Sequence, residues 1–141
     1  MSEAASVPAS FINLDLELES SGELVELEEE PGRGAYVLHS GPIPGGYRLA
    51  LEPLIDGTLN ADPLACTEHF LSRIEALSPA ALAVFSACAS RVFDYGFDGG
   101  LEENPIRTDL SSGTLARVAA LRIDIRITPY PYRAAEPEEA K

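Results

Sequence analysis

From Phe11 to Glu19 the chain alternates without a break: Ile12, Leu14, Leu16 and Leu18 against Asn13, Asp15, Glu17 and Glu19. Successive side chains of an extended backbone point to opposite sides, so a period of two specifies a strand with one apolar and one wet side. The pattern recurs. Phe93, Tyr95 and Phe97 oppose Val92, Asp94 and Gly96, and Ile123, Ile125 and Ile127 oppose Arg122, Asp124, Arg126 and Thr128. Strands buried on both faces would read as continuous apolar runs, which are missing here. A sheet of alternating strands is mainly antiparallel and shows one face to water.

Other segments complete the set. Ala35 to Ser40 and Tyr47 to Glu52 read as short strands around the proline- and glycine-rich loop 41–46. Ile106, Thr108 and Leu110 mark a short returning strand, and Pro129 and Pro131 stop further pairing of the last one, which suggests a sheet edge or a strand end. Asp62-Pro63 and Ser78-Pro79 are helix starts: the side-chain oxygen accepts from an orphan N–H and proline at the first position loses nothing. The two helices should run to about Leu77 and Ala89 as a hairpin. Ser111 or Ser112 caps another with Leu115, Val118 and Ala119 inward, and Glu23 to Glu30 suggests a short acidic helix or turn ended by Pro31-Gly32. The expected fold is α+β: a single, mainly antiparallel sheet of five to six strands with three helices packed on one face.

A chain of 141 residues fits one domain, and 45% apolar with 23% charged residues is ordinary globular usage. The expected division is a flexible N-terminus over 1–9, one α+β domain over 10–133 and a flexible acidic tail over 134–141. No positively charged leader precedes an apolar stretch. The longest apolar run, Ala80 to Phe85, is six residues, against the roughly 20 that span a bilayer. These features imply a cytoplasmic protein with no membrane partner, whose Cys66 and Cys88 are reduced and buried. The net charge of −13 argues against nucleic acid, which demands a basic footprint. Nine of the acids fall in residues 1–32, which contain no Lys or Arg.

Constellations with chemical potential fall short of working sites. Cys66, Glu68 and His69 with Cys88 offer soft-metal ligands, but a fourth ligand at paired spacing is missing. Neither His39 nor His69 sits in a nucleophile motif, and the sequence has no Gly-x-Ser-x-Gly elbow. Asp94 to Glu103 carries four carboxylates among glycines, without the spacing of a calcium loop. The glycine runs 41–46 and 96–100 match no phosphate-binding fingerprint. No catalytic, cofactor or metal residues are assigned.

What remains is a surface. With helices over the apolar side, the other side collects Asn13, Asp15, Glu17, Glu19 and Asp94 with Arg122, Asp124 and Arg126, and the acidic segment 23–30 lies alongside. Cross-strand ion pairs on a solvated face account for much of such a pattern. The functional expectation is a platform for a basic protein partner, with Asp15, Glu17, Glu19, Asp94, Arg122 and Arg126 as partner-binding residues. The alternatives are a small hydrolase or isomerase using Asp94 or Glu17 with Tyr95 or Arg126 in a shallow pocket, and a structural homodimer joined through a strand edge.

The segments Phe11 to Glu19, Arg91 to Phe97 and Arg122 to Tyr130 resemble those of small uncharacterised bacterial proteins grouped as a domain of unknown function, and several similar α+β families act as immunity proteins in toxin systems. The resemblance implies a cytosolic bacterial α+β protein; separately from it, a monomer or homodimer is expected. The resemblance carries no catalytic residues.

Overall fold

The computed structural model describes residues 9–29, 35–53, 62–100 and 105–132. The expectations for the two ends, for Pro31-Gly32 and for most of the connection after Pro53 fall outside them. The elements run β1 (Ser10–Ser20), α1 (Val25–Glu29), β2 (Ala35–Ile43), β3 (Gly46–Pro53), α2 (Pro63–Glu75), α3 (Pro79–Ser86), β4 (Ser90–Asp98), α4 (Ser112–Ala120) and β5 (Asp124–Tyr130). One open sheet has the order β2-β3-β1-β4-β5. Every junction is antiparallel except β4–β5, which is parallel. Parallel neighbours need a crossover rather than a hairpin, and the connection containing α4 is that crossover. The sheet is therefore mixed, though mainly antiparallel. Among the described residues it has five strands and four helices, since the acidic segment after β1 does form α1.

Three expectations about strand extent and facing need correction at this level. Ile106, Thr108 and Leu110 lie in an irregular stretch, 105–110, so no sixth strand forms there. The loop 41–46 shrinks to Pro44-Gly45, because pairing continues through Gly41–Arg48, Pro42–Tyr47 and Ile43–Gly46. Gly45 takes a φ of 87° there, and at Gly46 a Cβ would collide with the Ser20 carbonyl oxygen. Ile12 does not face inward: Phe11 pairs with Phe97 and Asn13 with Gly96, so Ile12 is the extra residue of a bulge. The bulge turns Phe11 to the core side, where its ring meets Phe97 edge-on at 5.5 Å, and leaves Ile12 39% exposed.

After the bulge the alternation holds. Leu14, Leu16 and Leu18 are buried and join Leu49, Leu51, Phe93 and Tyr95 of the sheet with Phe70, Leu71, Ile74, Phe85 and Val118 of the helices. Each such side chain contributes about 1.5–3 kcal/mol by leaving water. α2 packs on β1 and β3, α4 on α2, and α1 on α3. No described helix is long and apolar enough to cross a membrane.

The helix starts follow the local chemistry. Asp62, Ser78 and Ser111 accept from the backbone N–H groups of Leu64, Ala81 and Thr114. α4 ends in a Schellman motif: Arg122 N–H bonds the Ala119 carbonyl and Ile123 N–H the Val118 carbonyl, with Ile123 and Val118 both in the core. Arg122 occupies the left-handed position of this motif, φ 57°. Arg91 holds the same corner, donating through Nε to the Arg122 carbonyl and through Nη1 to that of Cys88.

One buried polar pair ties α2 to the sheet. The Thr67 hydroxyl donates to the Pro63 carbonyl at 2.7 Å and lies 2.6 Å from the Tyr95 hydroxyl. Thr67 has one hydroxyl proton, so Tyr95 must be the donor to Thr67. Thr67→Val should cost about 1–3 kcal/mol, because the buried tyrosine hydroxyl then loses its acceptor, whereas Tyr95→Phe should cost about 1 kcal/mol or less. Urea unfolding of the two variants reads the difference, and equal losses would contradict the donor assignment.

Candidate functional site

The side of the sheet away from this core is built in rows. Asp15 pairs with Asp94, and Asp94 with Arg126 of β5. Glu52 follows Leu51, the partner of Leu16, and so stands beside Asp15 on the other flank. The next row runs His39, Ala50, Glu17, Val92 and Asp124. Ala50 and Val92 are buried yet lie outside the main core cluster.

The charges are knitted together. Arg126 Nη1 donates to Glu17 Oε1 at 2.8 Å and to Asp94 Oδ2 at 3.3 Å. Arg48 approaches Glu17 Oε2 at 3.4 Å, Thr128 Oγ1 donates to Asp94 Oδ1 at 2.6 Å, and the Asn13 amide donates to Glu52. Four carboxylates, of Asp15, Glu17, Glu52 and Asp94, are thus gathered around two guanidiniums.

Asp15 sits at the centre of the group and is served least. Its Oδ1 is buried and has no hydrogen-bond partner among the described residues. Burial, reinforced by the negative charges of Glu52, Glu17 and Asp94 and opposed by Arg48, pushes its carboxyl up to about 6. The Arg126 guanidinium, held by the Glu17 and Asp94 carboxylates, is pushed above its ordinary range.

The structure therefore brings Asp15, Glu17, Asp94 and Arg126 together, with Glu19 exposed at the end of β1 opposite Arg48. Arg122 is not among them. Continued alternation would have placed it beside this group, but the Schellman turn precedes the strand, and its carbonyl serves Arg91 on the far side of the crossover. Tyr95 is likewise removed from Asp94 and Glu17: it faces the core with its hydroxyl on Thr67. Arg48 and Glu52 were missed, although their signal was present. Arg48, Ala50 and Glu52 alternate with Tyr47, Leu49 and Leu51, and needed only the knowledge that β3 flanks β1.

A second feature lies on the core side of β4 and β5, beyond helix cover. Tyr95, Phe97, Ile106, Leu110, Ile127 and Pro129 line a mostly apolar trough of about 330 Å³. Here the expectation of a half-buried last strand fails. Ile123 is buried, but Ile125 and Ile127 are 40% and 57% exposed, because β5 is the outermost strand. Cys66 and Cys88 are thiols buried in the core cluster, and burial raises both above the ordinary thiol range.

No family model matches the sequence, and no curated protein or solved structure matches it either.

Proposed function

We propose that the protein is a non-enzymatic binding module of the immunity or regulatory type that receives a cation-rich segment of another protein on the polar face of its sheet. The reading takes the helices to screen the apolar side and leave this face for the partner. The observation that supports it is Asp15, a carboxylate with one buried oxygen that has no hydrogen-bond partner among the described residues, amid a surplus of negative charge. An arriving guanidinium or ammonium supplies the counter-charge that Arg48 and Arg126 do not, through charge-assisted hydrogen bonds to the accessible carboxylate oxygens around Asp15. The acids around it also draw a cationic partner in at long range, an attraction that salt screens beyond about 8 Å at physiological ionic strength.

An arginine-rich peptide titrated into the isotope-labelled protein tests this by nuclear magnetic resonance. Resonances of Asp15, Glu17 and Asp94 should move, and affinity should fall steeply as salt is added. Asp15→Asn should weaken binding about tenfold or more, equivalent to about 1.4 kcal/mol, while the same change of charge at exposed Glu26 on α1 should leave it nearly unchanged. Equal losses at both positions, or shifts confined to α1, would reject the surface.

A further inference from the structure

Among the described residues nothing pairs with the outer edge of β5. The Gly99 N–H bonds the Tyr130 carbonyl at 2.7 Å. By alternation the even-numbered residues of β5 address β4, and Ile125 and Ile127 present N–H and C=O outward. Their side chains share the face of Phe93 and Tyr95, yet remain 40% and 57% exposed. Such an edge is a template for another strand unless it is blunted. The opposite edge is blunted: β2 bulges between Val37 and His39 and continues into Gly41-Pro42. In β5 the first proline, Pro129, comes only after both isoleucines.

We infer that β5 pairs antiparallel with β5 of a second copy of this chain, about a two-fold axis through Ile125, joining two sheets into one of ten strands. The register follows from the side chains. With Ile125 opposite Ile125, that pair exchanges both backbone hydrogen bonds and Ile123 faces Ile127. Asp124 of each copy then meets Arg126 of the other on the polar face, so the charges are complementary twice over. Both hydrogen bonds of Arg126 to Glu17 and Asp94 leave from Nη1, which leaves Nε and Nη2 as donors for Asp124 of the second copy. Pro129 falls past the ladder, where its missing N–H is not required. An axis through Ile127 instead sets Pro129 against Ile125 and forfeits a bond, and one through Arg126 sets arginine against arginine. In the favoured register the acidic faces of the two copies lie on the same side of the joined sheet.

Sedimentation of the full chain across a concentration series tests the pairing. The expected result is a reversible dimer of twice the 15.1 kDa chain mass, with Ile125→Asp raising its dissociation constant at least about tenfold. A chain that stays monomeric at every concentration, or a dimer indifferent to Ile125→Asp, overturns the inference. Cysteine cross-linking reads the register and serves equally should Ile125→Asp fail to fold. Positions 125 of the two copies would be about 5.5 Å apart between Cα atoms, within disulfide reach, whereas positions 127 would be four residues out of step, about 13 Å. Mild oxidation should therefore link Ile125→Cys and not Ile127→Cys, with buried Cys66 and Cys88 not competing. Linking of both variants alike would overturn the register.

Discussion

Asp15→Asn should make the protein more stable at pH 7.5 while weakening its hold on a cationic peptide. The stability half follows from proton linkage. The Asp15 carboxyl is raised from 3.8 to about 6 in the folded chain. Between those values the native state keeps a proton that the unfolded state has released. Ionised Asp15 therefore opposes folding above about pH 6, and the penalty fades as pH falls towards 4. The full shift would be worth about 3 kcal/mol, but the side chain is partly solvated, and screening brings the expected gain from Asn to about 1–2 kcal/mol. Urea unfolding of both proteins at pH 7.5 and pH 4 should show that gain at the first and little at the second. The binding half has the opposite sign. A cation on Asp15 favours its ionised form, so wild-type affinity should drop as pH is lowered through about 6, and Asn should flatten that dependence. If Asp15→Asn proved less stable at pH 7.5, Asp15 would be a satisfied structural carboxylate and the partner surface would lose its centre.

Leu16→Ala and Ile127→Ala should differ severalfold in cost, although both residues occupy apolar positions of alternating strands. Leu16 is 1% exposed in the middle of the sheet, between β3 and β4 and within the core shared with the helices. Truncating it removes transfer free energy and leaves a cavity, for about 3–5 kcal/mol. Ile127 is 57% exposed on the outermost strand. Its truncation in the monomer should cost about 0.5 kcal/mol, as at ordinary surface positions. Denaturation at dilute concentration compares the two, and similar losses would mean that β5 is covered in solution.

The same contrast separates what could be read along the chain from what could not. Alternation placed Leu14, Leu16 and Leu18 on one side of β1 and Asp15 and Glu17 on the other, and it put Asp94 and Arg126 on their polar sides. Asp62, Ser78 and the Ser111-Ser112 pair announced three helices, because a cap is a bond between residues two or three apart, and the structure selects Ser111 for the third. Arg122 shows where neighbour-by-neighbour reading stops. Its left-handed turn carries no glycine, and only the docking of Ile123 beside Val118 reveals it.

The site itself spans most of the chain. Glu17 meets Arg126 across 109 positions, and Asn13 meets Glu52 across 39. The sequence by itself determined the local rules: which stretches are extended, where helices begin, and which side of each strand is polar. Only the tertiary structure decided that β1 lies between β3 and β4, that Ile12 bulges out, and that the isoleucines of the edge strand β5 are left bare. Strand order is chosen by burying the apolar faces of the whole sheet at once, and that sum over distant partners cannot be taken within any single window of residues.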